Sequence, residues 1–80
     1  MDVLELAKQA ETLRLNPFWQ FISKEVRRSL AESILATDPT DTAGREALYH
    51  EARALDRLEG RITALIADGA IAVRRAQSPN

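Results

Sequence analysis

The single imidazole, His50, is where catalytic or metal chemistry would have to start. Glu46 precedes it by four residues, so the two share one face of a helix and make half a metal site. Neither a cysteine nor a second histidine is present to complete a ligand set. His50-Glu51 opens like the helix of a zinc protease, but that helix needs another His at position 54, where this chain has Ala54. The expectation is a surface histidine paired with Glu46, with no metal and no cofactor. Paired carboxylates act as acid and base only in a partly desolvated pocket, and a small helical hairpin has little volume to build one. Gly44, Gly60 and Gly69 are scattered and form no phosphate-cradling loop. These residues point to a protein that is not an enzyme.

Arg53, Arg57 and Arg61 are spaced four apart, with His50 extending the row and Arg45 a turn further back. Such a row is a possible phosphate-binding face. It is interleaved with Asp56 and Glu59, and Lys24, Arg27 and Arg28 are diluted in the same way by Glu25 and Glu32. Cations in that setting serve a solvated face or bridge to carboxylates of a neighbouring helix or subunit. The whole chain carries 11 Lys and Arg against 12 Asp and Glu. A protein that coats duplex nucleic acid needs a large positive excess to displace counterions, so nucleic acid is a possible partner but not the favoured one.

Three helical patterns must position these residues, and no stretch alternates with the period of a strand. The first is expected over about 2–13, with Asp2 as N-cap and Val3, Leu6, Ala7, Ala10 and Leu13 on one side. Asn16-Pro17 breaks it and starts the second, over about 17–36: Asn accepts from free N–H groups, and Pro at the first helical position forfeits no hydrogen bond. Phe18, Trp19, Ile22, Val26, Leu30 and Ile34 form its broad apolar stripe, widened by Phe21 and Leu35. Residues 37–42 are dense in turn formers, and Asp41 or Thr42 caps the next helix. This third helix is expected over about 43–68, with Leu48, Leu55, Leu58, Ile62 and Leu65 as a seam interrupted at Glu51 and broadened by Ala52 and Ile66. Asp68-Gly69 reads as its end, leaving 69–80 as a tail frayed at Gln77-Ser78-Pro79-Asn80.

Gly60 lies inside the third pattern, where glycine costs up to about 1 kcal/mol relative to alanine. With Asp56, Thr63, Ala64 and Ala67 it makes a band of mostly small residues, suited to close approach by a partner chain or by the first helix. Phe18 and Ile22 are expected in the core. Trp19 and Tyr49, of residue types enriched at interface hot spots, are candidate partner contacts, as is Gly60. The tail adds Ile71 and Val73, expected to enter a partner's pocket and order there, while Arg74 and Arg75 meet acidic side chains.

Eighty residues, 45% hydrophobic, suffice for one small domain and not for two. The lack of cysteine removes any disulfide framework, no apolar run approaches a bilayer span, and the acidic start Met1-Asp2-Val3-Leu4-Glu5 is unlike a secretory signal. A soluble, cytoplasmic protein without membrane contact is the expectation.

The stretch Asp41-Thr42-Ala43-Gly44-Arg45-Glu46-Ala47-Leu48, followed by Arg53-Ala54-Leu55 and by Asp68-Gly69-Ala70-Ile71-Ala72, resembles a group of short hypothetical proteins of tailed bacteriophages. Asn16-Pro17-Phe18-Trp19-Gln20 and the Ser/Thr-Asp-Pro turn are similar to that group as well, so the resemblance runs from about residue 3 to 72. Ile34 stands where the group often has an aromatic. Genes of this group tend to lie among those for virion assembly. The resemblance implies a small structural or assembly factor, present in the host cytoplasm during assembly and potentially in the virion, bound to a capsid, portal or tail component. The combined expectation is an all-α fold: an antiparallel helical hairpin of two long helices with a short N-terminal helix packed across both, acting by protein contact as a homo-oligomer. The alternatives are a nucleic-acid-binding packaging or regulatory accessory, and a small phage inhibitor of a host protein complex.

Overall fold

A side chain that caps a helix start must lie where the free N–H groups need an acceptor, and three do so here. In the computed structural model, which describes residues 1–78, Asp2, Asn16 and Asp41 accept from the backbone N–H of Glu5, Trp19 and Gly44 at 2.9, 3.0 and 2.9 Å. They open α1 (Val3–Leu15), α2 (Pro17–Ala36) and α3 (Thr42–Gln77). Asn16 also closes α1, its N–H bonding back to the Leu13 carbonyl, so one residue is both C-cap and N-cap. The fold is all-α, with no strand among the described residues.

α3 overturns one expectation. It runs through Gly69 for 36 residues, and the tail foreseen over 69–80 is helical as far as Gln77, with Pro79 and Asn80 outside the described residues. Glycine stops a helix by taking up a left-handed backbone, and no glycine here has positive φ. Gly69 is buried against α1 instead: a Cβ built on it would collide with the Ala7 methyl. Close packing on α1 outweighs the propensity cost of about 1 kcal/mol. Ile71 and Val73 are thus already helical, without waiting for a partner.

The first two helices run along α3 in order. Ala7 meets Gly69, Trp19 and Ile62 line one groove, and Arg27 reaches Asp56 and Glu59, so the number on α3 falls as the number on α1 and α2 rises. α1 packs mainly on the C-terminal third of α3 and touches α2 little, which corrects the expectation of a first helix lying across both longer ones. The consequence is length: the molecule measures 61 × 26 × 18 Å with a radius of gyration of 17.6 Å, whereas about 12 Å would suit a compact chain of this size.

The core is correspondingly thin. Ala10 and Ile62 are its only buried hydrophobic side chains among the described residues. On α3 the inward line runs through Leu48, Ala52, Leu55, Glu59, Ile62, Ile66 and Gly69, at alternating spacings of four and three. Gly69 shares this phase with Ile62, Leu55 and Leu48, which precede it by successive sevens. Leu58, foreseen in the seam, is turned to the flank and 51% exposed. On α2, Trp19 is half-buried while Phe18, foreseen in the core, is 69% exposed; Ile22 is intermediate.

Candidate interaction surface

Glu59 is the polar member of an otherwise apolar inward line, and α2 supplies its partner. The Arg27 guanidinium donates from Nη2 to Glu59 Oε2 at 2.6 Å and from Nη1 to Asp56 Oδ1 at 2.7 Å, spanning two carboxylates one turn apart. Hydrogen bonds to Asp56 and Glu59 hold the guanidinium pKa above its ordinary value. Arg53 approaches the same Asp56 at 3.9 Å. This ionic clasp, with Arg14, Gln20, Ser23 and Lys24 around it, gives one side of the α2–α3 pair a polar lining. The cation-bridging expectation is met at Arg27, a residue that spacing alone does not single out; its signal is an arginine on α2 facing an acid within a seam.

The remaining site residues divide by face. Trp19 lines the groove between α2 and α3, and Val73 lines another between α1 and α3 with Leu4, Lys8 and Ala70. Both are partly engaged within the chain. Tyr49, Gly60 and Ile71 are exposed and recur every 11 residues, a spacing that returns to within about 20° on a helix, so they share the outward strip of α3. A Cβ at Gly60 would meet nothing within 4 Å. Close approach by the first helix therefore occurs at Gly69 and not at Gly60, while the outward strip stays accessible to another chain.

His50 packs its ring against Tyr49, centroids 5.9 Å apart and tilted by 59°. The ion pairs of the described residues do not include the expected one between His50 and Glu46. Arg57 and Arg61 are exposed beside Arg53, and neither enters an ion pair among the described residues. Among those residues no group of three or more His, Cys, Asp or Glu side chains converges to hold a metal. Among the described residues no helix is long and apolar enough to cross a membrane.

Comparison with known proteins gives no match: no family model, no curated protein and no solved structure is similar to this chain.

Proposed function

We propose that this chain is a non-catalytic structural or assembly accessory protein of a tailed bacteriophage, working through helix-mediated protein contacts. In this reading α2 and α3 act as an antiparallel hairpin held by the Arg27 clasp, and α1 extends it along the far end of α3. The observation that supports contact as its occupation is the imbalance of its apolar side chains. Two are buried, while thirteen large ones stand between 39% and 86% exposed among the described residues. So much open apolar side chain on a chain with so thin a core supports docking on another protein as the reading. The phage setting rests on the sequence resemblance carried by Asn16-Pro17-Phe18-Trp19-Gln20 and by the segments of α3. The outward strip of Tyr49, Gly60 and Ile71 is the face offered to a capsid, portal or tail component, with the chain present in the host cytoplasm during assembly.

Mass spectrometry of purified particles and of their assembly intermediates tests this. The expected result is the chain copurifying with one or the other in many copies. Its absence from both, with normal particle yield after deletion of its gene, overturns the reading.

A further inference from the structure

The outward face of α2 carries six residues whose spacing reads the same in both directions. Phe18, Phe21, Glu25, Arg28, Glu32 and Leu35 recur at spacings of three and four and fall within an arc of about 100°. The arc lies opposite Trp19, Ser23, Leu30 and Ile34, which are half-buried on the other side of the helix. Phe18, Phe21 and Leu35 are 69%, 60% and 86% exposed. Apolar residues occupy both ends of this face, and charges fill its centre.

We propose that a second copy of this chain docks here, α2 against α2 in antiparallel register, about a two-fold axis passing between Val26 and Arg27. In that register Phe18 of each chain packs on Leu35 of the other, and Glu25 of each faces Arg28 of the other. The symmetry makes both contacts twice, as an isologous interface requires. Phe21 meets the aliphatic stem of Glu32, whose carboxylate is drawn aside by Arg28 of its own chain at 3.7 Å. Glu25 is half-buried and enters no ion pair within its chain among the described residues, which leaves it available to the second copy.

The exposed area agrees with this. The chain has 6325 Å² of accessible surface, against about 4,800 Å² for a compact protein of its mass. The excess is roughly 1,500 Å², while a stable pair needs about 800 Å² from each partner. A second copy covering that much on α2 would take about half of the excess and leave the outward strip of α3 for the docking proposed above. The inference rests on that contact reading and names one partner within it.

Sedimentation of the purified chain and of two kinds of variant tests the proposal. The wild type should be dimeric and should dissociate on dilution. Glu25→Arg places like charges opposite each other twice and should weaken the dimer about tenfold or more, while Glu25→Arg with Arg28→Glu should recover it. The chain has no native cysteine, so Phe18→Cys with Leu35→Cys offers a second readout. Those positions are about 25 Å apart along one helix, too far to bridge within a chain, and mild oxidation should give a covalent dimer. A monomer at every concentration, a dimer indifferent to the charge reversal, or failure of the cysteine pair to cross-link overturns the proposal. A dimer of this kind absent from particles would leave it standing and remove the assembly role; a monomer present in particles would do the reverse.

Discussion

Gly69 on α3 and Ala7 on α1 touch so closely that a single carbon added to the glycine would overlap the alanine methyl. This contact seats α1 and continues α3 past the point where a helix ordinarily ends. It predicts opposite responses from two helical glycines. Gly60→Ala should stabilise by about 0.5–1 kcal/mol, since alanine is the better helix former and the added methyl meets open space. Gly69→Ala gains the same propensity but overpacks a buried contact, at a cost of about 1–3 kcal/mol. Urea denaturation of both variants decides it, and Ala7→Gly in the Gly69→Ala background should return most of the loss. Equal stabilisation by the two alanines would show that α1 does not rest on Gly69.

Range decides which features are legible in the sequence. Caps are local: Asp2 and Asn16-Pro17 announce their helices without reference to anything distant, and of the two candidates Asp41 and Thr42 it is Asp41 that caps α3. Gly69 is ambiguous at short range, because stopping a helix and admitting a neighbouring one both call for a missing side chain. Only the position of Ala7, sixty-two residues away, resolves it. The seam read from α3 alone holds at Leu48, Leu55 and Ile62, with Ala52 and Ile66 beside them, and fails at Leu58, which turns outward while Glu59 turns in to meet Arg27. Arg27 reads as one diluted cation among several, because its two acceptors lie on another helix. Phe18 is misplaced for a related reason: a broad apolar stripe has more width than one neighbour can cover, and α3 takes the Trp19 side.

Asn16 serves two helices, so its replacement should be felt in both. Its Oδ1 accepts from Trp19 N–H at 3.0 Å, and Gln20 Nε2 donates to the Arg14 carbonyl at 3.0 Å across the same junction. Asn16→Ala should cost about 1 kcal/mol, typical of a lost N-cap, and Asn16→Asp should be nearly neutral. Thermal unfolding followed by circular dichroism measures this. An unaffected midpoint for Asn16→Ala would mean that the junction does not depend on the cap.

The turn between α2 and α3 is sensitive to acid at one carboxylate. Asp38 Oδ1 accepts from the Thr40 hydroxyl at 2.6 Å and from the Thr40 N–H at 2.8 Å, and these two bonds lower its pKa below the ordinary carboxylate value. A folded-state pKa below the unfolded one adds stability above the unfolded value, and that contribution is lost as pH falls through the lowered folded one. Thr40→Val removes the hydroxyl bond, which is the larger cause. NMR titration of the Asp38 carboxyl should then show its midpoint moving up towards the usual range. A midpoint that stays where it was would deny the hydroxyl its part.

The Arg27 clasp is partly solvated, so salt should reveal it. Arg27→Met keeps the apolar stem and removes both carboxylate bonds, leaving Glu59 without its partner in the inward line of α3. The variant should unfold at a lower temperature than wild type, and the gap should narrow in high salt as the exposed part of the pairing is screened. Asp56→Asn in the Arg27→Met background should add less loss than it does alone, because the two act through one contact. Additive losses would separate Arg27 from the acids it touches.

The exposed arginine row makes the remaining test. Arg57 and Arg61 face solvent, but Arg53 shares Asp56 with Arg27. Two or three cations release few counterions from a phosphate backbone, and the affinity should fall with salt at a logarithmic slope of about −2 to −3. Filter binding of duplex DNA and of RNA at two salt concentrations should accordingly show weak retention at low salt and none at physiological ionic strength. Arg57→Glu with Arg61→Glu should abolish the weak component without disturbing helicity, since neither residue enters an ion pair among the described residues. Retention at physiological ionic strength, falling steeply with added salt, would instead make nucleic acid the partner of α3 and displace protein docking from its outward face.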